Sequence, residues 1–262
     1  MQKLISHGFS QNIWRILPDA APDSNLWVIE LRDVTEKQVS FAMIDTQSRQ
    51  LLWQENPEGA EWWSSLTAFS AGHVYLHGYR NPEIPEPTDL LILAASTGEM
   101  IRVVPNYILV RTLNHNILEV ATKQGEGFVH KEYNVDTDEI TVLSGNFGDV
   151  ENQIILKEPI RYKQGNAYFE RLQTFIQNKT LGHVATSIDY LECKPYVIFS
   201  YYIYQQDKSV QYLLIVTDQM ETVLHEKLSE GREGIGRSTM LLKASTLVYL
   251  KNNNEFSSLT LS

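Results

Sequence analysis

The stretch Ile44-Asp45-Thr46-Gln47-Ser48-Arg49-Gln50-Leu51 decides the fold, because its frame recurs along the chain. An apolar residue opens and closes this bounded hairpin, and the same spacing returns at 93–100, 133–140 and 216–223. In the first three copies a Ser or Thr fills the fifth position and a Gln or Glu the seventh: Ser48 and Gln50, Thr97 and Glu99, Thr137 and Glu139. Self-similarity at this period indicates a stacked repeat, since one such unit cannot bury its apolar face alone.

Working outward, a second strand pair precedes each hairpin. Leu66-Thr67-Ala68-Phe69 turns at Ser70-Ala71-Gly72 into His73-Val74-Tyr75-Leu76, and the same pattern is found at 110–120, 188–198 and 240–250. The turns use Gly, Asn, Ser and Pro, as short hairpins require. The first copy is looser, with 13–17 reaching 26–31 through a polar loop holding Pro18 and Pro22. Each unit reads as four antiparallel strands in meander order, which is the blade of a β-propeller. The expected fold is all-β, a propeller of five four-stranded blades at about 13–55, 62–104, 108–144, 185–228 and 238–262. The last blade lacks a fourth strand, which residues 3–9 are placed to supply, removing an exposed edge. Residues 145–185 do not fit the repeat. We read them as an insertion in a single domain spanning 1–262, with short strands at 153–156 and 160–162 and a helix over 166–181. In that helix Tyr168, Leu172, Phe175 and Ile176 share a face, Asn166 is the N-cap, and Gly182 follows the end. A degenerate sixth blade is the alternative.

Composition narrows the function classes. The formal charge is −10, and no Lys/Arg run interrupts the acidic balance, so nucleic acid and anionic lipid are not expected partners. No run approaches the ~18 apolar residues of a membrane span. The opening Met1-Gln2-Lys3-Leu4-Ile5-Ser6-His7-Gly8 has no apolar leader region, which leaves a cytoplasmic address as the expectation. The single cysteine, Cys193, cannot form an intrachain disulfide and reads as a small residue near a strand end.

Catalytic and metal signatures do not emerge. The seven histidines show no paired-ligand spacing, and His73 and His77, on one strand face, read as surface or turn residues. Asp136-Thr137-Asp138-Glu139 resembles half a calcium loop but lacks its Gly and distal Glu, so a polar hairpin tip explains it better. Gly231-Arg232-Glu233-Gly234-Ile235-Gly236-Arg237 has the composition of an anion nest but follows no βα signal, and reads as a connection. No catalytic residue, metal or cofactor is expected.

The hairpins 44–53 and 93–101 resemble the blades of quinoprotein-like and WD-type propellers, with a strand, a small or acidic residue, a Ser/Thr turn and a following apolar run. That resemblance implies fold only. Quinone-dependent dehydrogenases of this type have more blades and a paired-cysteine feature, from which lone Cys193 departs, so the quinone is not expected. More narrowly, Ile188-Asp189-Tyr190-Leu191-Glu192, Ser200-Tyr201-Tyr202 and Pro159-Ile160-Arg161-Tyr162 resemble an uncharacterised Bacteroidetes family, domain of unknown function 4905. That resemblance implies no activity.

Candidate binding residues follow from propeller geometry, in which connections between blades ring one mouth of the channel. They are Trp62, Trp63, Tyr107, Arg111, Asp189 and Arg237, of the aromatic and Arg types that dominate binding energy, plus one carboxylate. The expected activity is that of a non-catalytic scaffold taking a protein or peptide at the rim. The alternative is a small-molecule or carbohydrate site at the channel mouth, with or without catalysis.

Overall fold

The computed structural model describes residues 5–81, 83–84, 86–143, 156–232 and 240–261. Cα packing divides the chain into two units, Gln11–Ile154 and Met1–Ser10 with Ile155–Ser262. The chain opens with β1 (Ile5–Gly8). In the Gln11–Ile154 unit the first sheet is β2 (Asn12–Pro18), β3 (Leu26–Asp33), β4 (Gln38–Asp45) and β5 (Gln50–Glu55). The second is β6 (Ser65–Ser70), β7 (His73–Gly78), β8 (Asp89–Ala94) and β9 (Met100–Pro105). The third is β10 (Ile108–Thr112), β11 (Ile117–Gln124), β12 (Gly127–Asn134) and β13 (Glu139–Val142). All three are antiparallel meanders in chain order.

The other unit adds β14 (Leu156–Lys157), β15 (Ile160–Lys163) and α1 (Phe169–Lys179) before two more meanders. The fourth is β16 (Ser187–Cys193), β17 (Tyr196–Gln205), β18 (Lys208–Thr217) and β19 (Thr222–Arg232). The fifth is β20 (Met240–Lys243), β21 (Thr246–Lys251) and β22 (Glu255–Thr260), and β1 completes it antiparallel to β22, with Ile5 opposite Ser258. The chain is thus all-β, built of propeller-type blades. No helix among the described residues is long and apolar enough to cross a membrane.

The repeated frame has a concrete basis. In every sheet the residue just past the third meander strand donates its N–H to the carbonyl just ahead of the second: Thr46 to Asn25 (3.0 Å), Ala95 to Gly72 (2.9 Å), Val135 to Asn116 (2.9 Å), Asp218 to Pro195 (2.7 Å) and Leu261 to Ser245 (2.8 Å). The Thr-x-Glu signature sits in the same turn, where the Thr97 and Thr137 hydroxyls meet the Glu99 and Glu139 carboxylates, both at 3.3 Å.

Middle strands read as near-continuous apolar runs because sheets pack on both faces. From the second sheet, Val74, Leu76, Leu91 and Leu93 pack on Val28, Phe41 and Met43 of the first, while Tyr75, Leu90 and Ile92 face Leu118, Val120 and Tyr133 of the third. Each fully buried Leu or Ile contributes about 1.5–3 kcal/mol, so side-chain alternation fixes strand register.

The segment after 155 departs from a simple insertion. Short β15 pairs with β16, Ile160 opposite Tyr190, and two-residue β14 pairs with β20, so each adds a fifth strand at a sheet's first-strand edge. Of the strand expected at 153–156, residues 153–155 lie outside the described residues and Leu156 opens β14. Helix α1 lays Phe169, Leu172, Phe175 and Ile176 on Phe199, Tyr201 and Leu214, and its opposite face is exposed. It begins later than the expected 166, because the Asn166 side chain accepts the Lys163 N–H (2.6 Å) and its carbonyl accepts that of Phe169 (3.1 Å). Asn166 therefore closes a turn instead of capping the helix.

Candidate functional site

In the Gln11–Ile154 unit the first strand of each sheet is bulged. Register slips between Ile13 and Arg15, Leu66 and Ala68, and Leu109 and Arg111, so Trp14, Thr67 and Val110 are the extra residues. A bulge leaves a backbone group out of the ladder. Here the preceding sheet receives it. Glu30 Oε2 accepts the Leu66 N–H (2.8 Å), and His77 Nε2 accepts the Leu109 N–H (3.1 Å). Counted from Asn25 and Gly72, Glu30 and His77 hold the same position of their second strands.

A second staple repeats at the outer strands. The Trp53 indole N–H on β5 donates to the Ala95 carbonyl (2.7 Å), and Arg102 Nη1 on β9 donates to that of Val135 (3.1 Å). Ala95 and Val135 are equivalent turn residues. Gly98 makes the first possible: its φ is +79°, and a Cβ there would lie 2.7 Å from the Trp53 ring.

Between the first two sheets these contacts become a buried network. Glu30 is fully buried and pairs with Arg32 Nε at 2.7 Å. Arg32 spends its other nitrogens on the carbonyls of Trp62 and Ser64, the latter at 2.8 Å, and Arg15 donates to the Leu66 carbonyl. A buried ion pair is tolerated only when its remaining donors and lone pairs are engaged, which is the case here. The Arg32 guanidinium also stacks between two indoles, 4.9 Å from the Trp62 ring and 5.3 Å from that of Trp14.

The expected residues take distinct positions. Trp62 is half-buried over Arg32, while Trp63, between the two clamped carbonyls, is 45% exposed. A Glu61–Ser64 turn closes on itself through Ser64 N–H to the Glu61 carbonyl (2.8 Å) and Glu61 N–H to Ser64 Oγ (2.9 Å). Tyr107 packs against the apolar cluster of Tyr75, Leu90 and Leu109. Arg111 donates to Glu119 (2.6 Å), which also meets His130 Nδ1 (2.6 Å). Burial would raise the Glu119 carboxyl, but Arg111 and His130 outweigh it and hold the group below its ordinary value.

In the other unit, Asp189 is buried in a two-point pair with Arg161, at 2.6 and 2.7 Å. Arg237 lies outside the described residues. The same unit holds a residue set with no sequence signal: Tyr201 Oη stands 2.7 Å from both His183 Nδ1 and His225 Nε2. Burial lowers both imidazoles below their ordinary value. Among the described residues no group of three or more acidic, His or Cys side chains is placed to hold a metal ion.

Two cavities flank the second sheet at opposite strand ends. One, about 310 Å³, lies beside the Trp63 turn and is lined by Gly59, Glu61, Ser64, Tyr79, Arg80 and Asp89. Burial raises the Asp89 carboxyl, but Arg80, the Asn106 N–H and Thr88 together bring it below its ordinary value. The other, about 470 Å³, is formed by the turns between first and second strands of three successive sheets.

A family model described as "Domain of unknown function (DUF4905)" matches residues 20–101, under half of the chain and confined to the first two sheets. The segments that carried the resemblance in the sequence lie elsewhere, at 159–202. No curated protein matches the chain significantly. Among solved structures, the chain is similar to BamB from Moraxella catarrhalis at 7% identity, covering 94% of this chain and 84% of that one with a TM-score of 0.36. A member of the DUF4221 family from Bacteroides vulgatus shows 8% identity, 100% and 96% coverage and a TM-score of 0.38. The β-propeller domain of the Trilobed protease from Pyrococcus furiosus shows 8% identity, 96% and 81% coverage and a TM-score of 0.34. At such scores none of them assigns a function.

Proposed function

We propose that this chain is a non-catalytic binding module that takes a protein or peptide partner on the Trp63 turn. The observation that carries the reading is the Arg32 clamp. One buried guanidinium grips the carbonyls on both sides of Trp63 and leaves the indole in solvent. Exposed Trp14, at 59%, lies on the same guanidinium. Rigid exposed indoles lose little conformational freedom on binding, and Trp and Arg are the residue types that dominate interface energetics. A single domain over 1–262, a quinoprotein-like or WD-type character of the blades, a Bacteroidetes source and a cytoplasmic place of action belong to the same proposal.

The test compares immobilised wild-type protein with Trp63→Ala, first shown to keep the wild-type circular dichroism and melting temperature. Partners from the source cells should be held by the wild type and lost, or weakened about thirtyfold or more, with the variant. An identical retained set on both proteins refutes the reading.

A further inference from the structure

The 310 Å³ cavity beside the Trp63 turn lies at the small end of ligand pockets, about 300–1,000 Å³, which is room for one long side chain. Its walls are set before any ligand arrives. Thr88 N–H donates to the Gly78 carbonyl (2.8 Å) and Ala60 N–H to the Pro57 carbonyl (3.0 Å), while Arg32 holds the Glu61–Ser64 turn by the Trp62 and Ser64 carbonyls. Gly59, at φ +88°, adds no side chain to the wall, and a Cβ there would meet nothing within 4 Å. A preformed cavity loses little free energy to ordering when a ligand enters.

The lining carries two acids and one base, and only one of the three is unspent. Arg80 donates from Nε (2.8 Å) and Nη2 to the two Asp89 oxygens, and from Nη1 to Asn106 Oδ1 (2.9 Å). Asp89 also accepts from the Asn106 N–H (2.8 Å) and the Thr88 hydroxyl (3.0 Å). Those two charges cancel, and each Arg80 nitrogen already has a partner, so nothing there recruits an anion. Glu61 is different. It is exposed, it lines the cavity, and among the described residues its carboxylate makes no hydrogen bond or ion pair. Two carboxylates against one guanidinium leave the cavity a net charge of −1 in a chain whose formal charge is −10. Both fields attract a cation. The remaining lining suits an apolar stem: Leu91 is buried, Val103 is 49% exposed and the Tyr79 ring is half-buried. Lysine and arginine combine such a stem with a charged head, and an aromatic ring nearby favours that head further. Glu61 stands two residues before Trp63 in the same clamped turn, so their Cα atoms are at most about 7 Å apart. A chain lying on the Trp63 indole therefore reaches the cavity with a neighbouring side chain.

We infer that this cavity takes a lysine or arginine side chain of the partner, with the cationic head at Glu61 and the aliphatic stem along Leu91 and Val103. That the side chain belongs to a partner rests on the Trp63 reading; the cavity's preference for a basic group can be measured without one.

Amide spectra of the full chain, titrated to about 20 mM with the N-acetyl methylamides of arginine, lysine, norleucine and glutamate, test it, since ligands of this size bind in the millimolar range. The tighter basic probe, which identifies the partner's residue, should shift the amides of Gly59, Gly78 and Arg80 saturably. It should bind at least fivefold more tightly than norleucine, and glutamate should give no shift. Glu61→Gln, at an exposed side chain without partners, should weaken that probe about fivefold and leave norleucine unchanged. Val103→Arg, which sets a guanidinium on the cavity's own wall, should abolish the shifts while the rest of the spectrum stays intact. Immobilised Glu61→Gln should also hold the Trp63-dependent partners more weakly than wild type. The inference is overturned if no probe gives saturable shifts, if norleucine or glutamate binds as tightly as the basic probes, if Glu61→Gln keeps the preference or the partners unchanged, or if Val103→Arg binds as before. Basic probes bound without any Trp63-dependent partner would remove the binding-module reading and leave the cation site, and such a partner without probe binding would do the reverse.

Discussion

The three sheets of the Gln11–Ile154 unit and the two sheets of the other unit treat their first strands in opposite ways. In the former the strand is bulged, and the freed N–H groups of Leu66 and Leu109 go to side chains of the preceding sheet. In the latter β16 and β20 pair without a bulge, and β15 and β14 lie along their edges. Both devices deal with the unpaired groups of an edge strand. Their consequences differ. A covering strand satisfies the edge by backbone bonds alone, whereas a bulge needs a partner sheet and turns an extra residue outward. Trp14 and Val110 are such residues, 59% and 44% exposed. Both cavities and the clamped Trp63 turn belong to the bulged, side-chain-stapled unit.

If staples hold the bulged unit together, breaking the charged one should be the most damaging. Glu30→Ala leaves Arg32 buried without its carboxylate and the Leu66 N–H without an acceptor, an expected loss of about 3–5 kcal/mol by urea denaturation. Gly98→Ala attacks the outer staple, forcing a Cβ to within 2.7 Å of the Trp53 ring at a backbone angle that disfavours side chains. It should cost about 2–3 kcal/mol in the same measurement. His77→Ala removes a neutral acceptor and should cost only about 1–2 kcal/mol, which ranks the two equivalent positions by charge.

Acidity separates those positions further. Burial, with Arg15 nearby, holds the His77 imidazole below its ordinary value. The folded protein therefore takes up this proton less readily than the unfolded chain. The stability it confers is complete above the unfolded value of about 6.5 and declines as pH falls through and below it. His183 and His225 act in the same direction, so the comparison is wild type against His77→Ala between pH 8 and 5. The wild type should lose more stability on acidification, and equal slopes would remove His77 from the account.

Much of the architecture was legible in the sequence. The frame at Ile44, Leu93, Tyr133 and Val216 marks the turn whose N–H bonds back in the first four sheets, and β1 completes the fifth sheet where a strand was missing. Shorter features were legible only in part. The strand expected at 160–162 is β15, but the sheet edge it joins was not to be read, and a bulge leaves no fixed residue signature. The Arg32 clamp joins groups some 30 positions apart, and the 470 Å³ cavity is built from three turns separated by whole sheets. Such sites arise from register between sheets, which no local pattern records. Trp62 and Trp63 stood out by residue type beside a connection, and the structure sets Trp62 half-buried on Arg32 and Trp63 in solvent.

Amide hydrogen exchange at Leu66 and Leu109 tests most directly whether side chains of one sheet hold the bulged backbone of the next. Both amides should be protected in the wild type, and His77→Ala should speed exchange at Leu109 about tenfold while Leu66 keeps its rate. Fast exchange at both amides in the wild type, or a Leu109 rate indifferent to His77, would contradict the account.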